Sequence, residues 1–178
     1  MARLIHLNGA PGVGKSTLAE RYAAAHPGVL NCDIDRLRCL IGGWEDDFDG
    51  AGDVVRPLAL AMIGAHLAGG RDVVLPQMLA RDSERARFAA VAIDNGHEFV
   101  HVLLQAGPGQ ARARFHGRAP DDALFVAIRR SVEQQGGDRV IDVLDRHLAS
   151  SGSDAVLDAS RDLDATCSAL RELLQRAE

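Results

Sequence analysis

Residues 9–17 read Gly9, Ala10, Pro11, Gly12, Val13, Gly14, Lys15, Ser16 and Thr17, a full match to G-x-x-x-x-G-K-[ST]. No other stretch constrains the fold as strongly, because this pattern works only between a strand and a helix. Both are present. Arg3 to Asn8 is a short, mostly apolar run that predicts a buried parallel strand, and Ser16 to Ala25 is rich in good helix formers. Glycines let the backbone turn its N–H groups inward, and the positive end of the following helix adds to the pull on an anion. In this motif Lys15 reaches the β- and γ-phosphates of a nucleoside triphosphate and the Ser16 hydroxyl holds Mg²⁺. Of the 20 cationic side chains, 19 are arginine and Lys15 is the only lysine. Position 15 thus keeps a compact, flexible point charge in a chain that otherwise uses arginine's planar fork.

The rest of the chain alternates strands and helices. His26-Pro27-Gly28 stops the first helix, and residues 29–33 predict a second strand with Asp33 at its carboxyl end and Asp35 just beyond. Ligands of open α/β sheets bind at that edge, so the two carboxylates stand where a substrate hydroxyl would meet the γ-phosphate. A short helix is expected over 36–41, with Asp35 placed to cap it. Residues 44–50 form an acidic loop with the only tryptophan, Trp44, a solvated turn or a flap whose acids favour a cationic or neutral substrate. A longer helix is expected over 53–68, with apolar positions at 54, 55, 58, 62 and 63; Arg56 near its start is a candidate for an anionic substrate group.

Residues 72–76 predict the third strand. Many phosphate-loop proteins end this strand in an aspartate that supports Mg²⁺. Pro76 and Gln77 stand there instead, which leaves the metal to Ser16, phosphates, water and Asp33, with Gln77 as a polar substrate contact. Further helices are expected over 82–94, 110–117, 121–135, 138–149 and 163–176, and strands over 98–104 and 155–158. Arg112, Arg114 and Arg118 cluster after the fourth strand, suited to clamping triphosphate charge. Five strands alternating with helices make an α/β pattern with a parallel sheet.

At 178 residues the chain is the size of one domain. A net charge of −5 argues against a broad nucleic-acid or anionic-membrane footprint. Three cysteines without a C-x-x-C pair suit a reducing compartment, and no signal segment opens the chain, so a cytoplasmic protein is expected, as monomer or homodimer.

With the phosphate loop, the segment Asp33-Ile34-Asp35-Arg36-Leu37-Arg38 and the later arginines, the chain resembles the P-loop kinase group, which includes adenylate kinase, gluconate kinase, chloramphenicol phosphotransferase and the zeta toxins. The resemblance runs over nearly the whole length. It implies a three-layer fold with strand order 2-3-1-4-5 and lid or substrate-facing insertions at about 42–52 and 107–137. It also implies an ATP- and Mg²⁺-dependent transfer of a phosphoryl group to a hydroxyl of a small molecule. Asp35 falls where chloramphenicol phosphotransferase and the zeta toxins carry the carboxylate that accepts the hydroxyl proton, with Asp33 as the competing candidate. Arg38 falls where adenylate kinase places an arginine on its acceptor phosphate, and Arg114 and Arg118 look like lid arginines. Two alternatives compete. A nucleotide-dependent switch or slow ATPase acting through a protein partner needs a water-positioning group, and none stands near the loop; an RNA-end kinase is disfavoured by the acidic charge.

Overall fold

The computed structural model describes residues 1–119 and 122–176. Five parallel strands form one sheet in the order β2-β3-β1-β4-β5: β1 (Arg3–Asn8), β2 (Leu30–Asn31), β3 (Val73–Leu75), β4 (Glu98–Gln105) and β5 (Ala155–Asp158). β1 is central, with Leu4 opposite Val73 of β3 and Phe99 of β4. Strand alternation then decides which side each residue faces. Ile5 and Leu7 point to one side, against α1 (Lys15–Ala25), α5 (Gln110–Gly117), α6 (Ala123–Gln134), α7 (Asp138–Ser150) and α8 (Leu163–Arg176), which supply Leu18, Phe115, Phe125, Ile141 and Leu170. Leu4 points to the other, against α2 (Ile34–Arg38), α3 (Phe48–Ala68) and α4 (Asp82–Ile93), which supply Ile34, Val55, Ile63 and Phe88. Two apolar cores with the sheet between them make the three layers.

His6 and Asn8, on the Leu4 side of β1, put polar groups into that second layer, and both are fully buried. Asn8 satisfies itself across chain segments. Its Oδ1 accepts from the N–H groups of Gly9 and Leu79, and its Nδ2 donates to the Leu79 carbonyl. The start of the phosphate loop is thereby tied to the segment that leaves β3.

Three local expectations need correction. β2 is shorter than residues 29–33, so the following helix begins at Ile34. Its cap is Asp33, not Asp35. The Asp33 carboxylate accepts from the N–H groups of Asp35 (3.0 Å) and Arg36 (3.4 Å), the usual geometry of a helix N-cap. Second, α3 starts at Phe48, inside the segment expected to be an insertion over 42–52, because Asp47 caps it by accepting from the Gly50 N–H. Third, apolar positions 54, 58 and 62 do not face the core. Val55, Ala59, Ile63 and Leu67 do, while Val54, Leu58 and Met62 are open to solvent at 54%, 51% and 39%. The helix start expected at Asp121 lies outside the described residues.

Candidate active site

The loop between β1 and α1 turns on glycines of positive φ, at Gly9, Gly12 and Gly14. Gly12 has φ +83°, and a Cβ there would stand 2.1 Å from the Ala111 carbonyl and 2.9 Å from Phe115 Cβ. The loop is therefore seated directly on α5. α1 begins with Gly14 in the left-handed region, with no side-chain cap and no acid in its first turn. Its first N–H groups keep their hydrogen-bonding capacity for a ligand, and the helix dipole favours an anion there.

Lys15 is folded back over this loop. Its Nζ donates to the carbonyls of Gly9 (2.9 Å) and Ala10 (3.0 Å). Burial pulls the ammonium down to about 8, against the attraction of Asp35 and Asp33. A cation held against carbonyl oxygens with little solvent around it is the complement of a polyphosphate.

A cavity of about 820 Å³ opens in front of the loop. Gly12 to Leu18 form one wall; Asp35, Arg38, Phe48 and Arg56 form another; Gln77 just after β3 and Glu84 in the first turn of α4 add to the lining; Arg114, Arg118 and Arg161 complete it. Of the sequence-predicted residues, Lys15, Ser16, Thr17, Asp35, Arg38, Arg56, Gln77, Arg114 and Arg118 share this cavity. Asp33 and Trp44 are not on its wall. Asp33 is 5% exposed and engaged in capping α2, and the aromatic ring on the Arg38 wall of the cavity is Phe48, four residues beyond Trp44.

Asp35 keeps 31% of its side chain open and has Arg38 Nε at 3.5 Å. Burial pushes its carboxyl up, opposed by the positive charges of Arg38, Lys15 and Arg56 and reinforced by the negative charge of Asp33. Arg38 is the fixed member of that pair. Its Nη1 donates to the Phe48 carbonyl (3.1 Å), its guanidinium lies 4.0 Å from the Phe48 ring centre, and only 6% of it is exposed. Gly52 makes room, since a Cβ there would be 2.9 Å from the guanidinium carbon. Arg56 is shared between Asp53 at 2.8 Å and Glu84 at 4.0 Å.

On the opposite side, Arg114 donates to the Ala159 carbonyl at 2.7 Å. Arg118 caps the end of α5 in extended conformation, with its guanidinium 4.5 Å from the Phe125 ring centre and Asp122 at 3.8 Å. Arg112 points elsewhere and pairs with Asp142. Gln77 is 9% exposed. Its backbone carbonyl receives His6 Nε2 at 2.8 Å, while its side-chain Oε1 is buried with no hydrogen-bond partner among the described residues. Among the described residues no group of three His, Cys, Asp or Glu side chains stands together as a metal site. The donor set fits a Mg²⁺ that arrives on phosphate oxygens and takes the Ser16 hydroxyl as its protein contact.

Sequence reading missed Phe48, Glu84 and Arg161. Arg161 follows β5 at the carboxyl edge of the sheet, where ligands of such folds bind, and that position was its available signal. Phe48 and Glu84 carried none, because their place on the wall depends on how α3 and α4 pack.

Comparison with solved structures shows the same fold. The APS kinase CysC of Mycobacterium tuberculosis, in complex with AMPPNP and APS, is 21% identical, with a TM-score of 0.66 over 98% of each chain. The Deinococcus radiodurans tunicamycin resistance protein is 18% identical, with a TM-score of 0.62 over 98% of this chain and 96% of its own. A gluconokinase of Sinorhizobium meliloti 1021 is 21% identical, with a TM-score of 0.56 over 98% of this chain and 96% of its own. No curated protein matches the sequence. A family model described as an AAA domain, AAA_33, matches residues 4–140, and the chain, built on the fold of the P-loop kinases, belongs to that family.

Proposed function

We propose that this protein transfers the γ-phosphoryl group of ATP to a hydroxyl of a small molecule. The observation that carries the reading is the placement of Asp35, a carboxylate of raised pKa, on the wall of the cavity that Lys15 and the uncapped N-terminus of α1 also line. A raised pKa brings a carboxylate closer to the neutral range where a general base works best.

The loop N–H groups and Lys15 hold the β- and γ-phosphates, and Ser16 supplies the protein's ligand to the metal. A Mg²⁺ held there would supply neutralisation of the phosphate charge. Asp35 accepts the proton of the acceptor hydroxyl as its oxygen bonds to the γ-phosphorus and the bond to the bridging oxygen breaks, releasing ADP. Arg38 holds Asp35 in place. Arg114 and Arg118 stabilise the oxygens of the group in flight, and Gln77 Oε1 accepts a hydrogen bond from the substrate. Asp33 stays a capping residue. A cytoplasmic setting suits the chemistry, since Cys32, Cys39 and Cys167 are all free thiols.

The neighbours' names cover sulfate-nucleotide, sugar-acid and antibiotic-resistance proteins, so the test is a panel of nucleotide, sugar, antibiotic and nucleotide-sugar hydroxyls with ATP and Mg²⁺. ADP release should rise with one class of acceptor and vanish in Lys15→Ala. Asp35→Asn should lower kcat by about 10²-fold or more with little change in KM for ATP. Release that ignores every acceptor would replace this reading with a slow ATPase acting through a protein partner.

A further inference from the structure

α3 has two apolar faces, and only one is used. Val55, Ala59, Ile63 and Leu67 lie against the sheet. On the opposite side Val54, Leu58, Ala61, Ala65 and Ala68 are all exposed, with Pro57 and Met62 flanking them. Their steps along the chain are 4, 3, 4 and 3 residues, the spacing of a coiled-coil seam and not of an incidental surface. From residue 57 to 70 the helix and its cap carry no Asp, Glu, Lys or Arg. Helices on protein surfaces ordinarily present charged residues there. The helix is apolar enough over Phe48–Ala68 to meet the length and composition of a membrane span, although one face is committed to the core.

We infer that this face is the contact between two copies of the chain, related by a twofold axis that passes beside Ala61 and pairs the two α3 helices antiparallel. The distribution of side-chain size supports that arrangement. Bulky Val54 and Leu58 occupy the first half of the stripe, and Ala65 and Ala68 occupy the second, with Met62 beside the axis. Antiparallel pairing about residue 61 sets Val54 of one copy opposite Ala68 of the other, and Leu58 opposite Ala65. Large meets small at both levels away from the axis, and Ala61 with the other alanines allows the backbones to approach closely. A parallel pair would leave a bulky end and a hollow end.

Charge agrees with this pairing. The acidic residues Asp49 and Asp53 stand at the start of α3, and the exposed Arg71 stands just past its end. Antiparallel pairing brings Arg71 of each copy level with the start of α3 in the other, where the exposed Asp53 stands, and opposes the two helix dipoles favourably. The same acids disfavour an anionic lipid surface, which attracts helices with lysine and arginine beside the apolar face.

Pairing along some fourteen residues, about 21 Å of helix, buries on the order of 1,000 Å² in total, with Ile93 adding to it. Ile93 is 61% exposed and sits on α4, whose Val91 touches α3 at Gly64. That area is near the lower limit for a specific pair of proteins, so the dimer should form in the micromolar range and not be obligate. The face lies opposite the side of α3 packed on the sheet, and no residue on it lines the cavity.

Sedimentation velocity of the full chain from about 1 to 200 µM tests the pairing. The expected result is a shift from monomer to dimer with rising concentration, lost in Leu58→Glu while the circular dichroism and nucleotide affinity of that variant match the parent. In a Cys39→Ser background, which removes the exposed thiol, Ala61→Cys should give a covalent dimer on mild oxidation. Val54→Cys should give none, because its two copies stand about 20 Å apart across the axis. A monomer at every concentration overturns the inference. So does a dimer that survives Leu58→Glu, equal cross-linking through Val54→Cys, or co-sedimentation of the monomer with phosphatidylcholine–phosphatidylserine vesicles.

Discussion

Lys15 holds its charge under strain. Its ammonium has been taken out of water and compensated by two loop carbonyls and by the fields of Asp35 and Asp33, and the net effect brings it down to about 8. The charged form of a group whose pKa has fallen is lost as pH rises through the new value. At pH 7 the ammonium is protonated before nucleotide arrives, whereas at pH 9 most of the free protein carries a neutral amine that a triphosphate would recharge. Calorimetry of a non-hydrolysable ATP analogue in buffers of different ionisation enthalpy should show nearly one proton taken up on binding at pH 9 and almost none at pH 7. Equal uptake at both values would mean that Lys15 is fully charged throughout. This lysine was legible in the sequence because its partners are backbone groups within six residues, fixed by a local pattern. Arg38 was legible only in part. Its position followed from the segment after β2, but what holds it rigid, the Phe48 ring and the space left by Gly52, comes from a different helix.

At the scale of elements, α2 shows how one residue's shift reassigns two carboxylates. In the sequence Asp35 was the candidate base and Asp33 its competitor, both acids near the end of a strand. The early start of the helix makes Asp33 the cap and leaves Asp35 in the first turn, with its side chain in the cavity. Asp33→Ala should therefore cost about 1 kcal/mol of stability, measured by urea denaturation, and Asp33→Asn should recover most of it. Asp33→Asn should also keep phosphotransfer within a few-fold of the parent; a loss as deep as that of Asp35→Asn would make Asp33 the base. The start of α3 was hidden for a related reason. Gly50 and Gly52 look like helix breakers beside an acidic run, yet one sits beside the Asp47 cap and the other clears space for Arg38. Their use depends on neighbours the local sequence does not reveal. The strand order agreed with the resemblance to P-loop kinases, and the alternation of apolar runs placed all five strands within about two residues.

The whole molecule carries a polar seam through one of its two cores, and this sets how it responds to acid. His6 lies fully buried in the central strand, its ring 5.0 Å from that of His101 and Nε2 against the Gln77 carbonyl. Burial, with further repulsion from His101, Arg85 and Lys15, drives the imidazole down to about 3, although the carbonyl opposes the shift. His101 is lowered in the same direction, chiefly by burial. A base whose pKa is depressed by folding is neutral in both states above the unfolded value of 6.5, and the fold keeps its full stability there. As pH falls below 6.5 the unfolded chain binds the proton and the folded chain does not. Stability then drops by about 1.4 kcal/mol per pH unit for each such histidine, continuing for His6 until about pH 3. At pH 5 the cost from His6 alone is roughly 2 kcal/mol, a large part of what a domain this size has to lose. Urea denaturation followed from pH 8 to pH 5 should show this slope, and His6→Gln, whose amide can still donate to the Gln77 carbonyl, should flatten it by the share of one proton whatever its stability at pH 8. An unchanged slope in that variant would mean that His6 titrates in the folded protein much as it does in the unfolded chain. The same seam ties the fold to the site, since the groups that His6 and Asn8 hold are the backbone of Gln77 and Leu79 and the first N–H of the phosphate loop. Above about pH 3 the folded chain keeps His6 neutral, so this tie between core and phosphate loop should hold wherever the protein is folded, and nucleotide, which binds only the folded chain, should offset part of the acid loss.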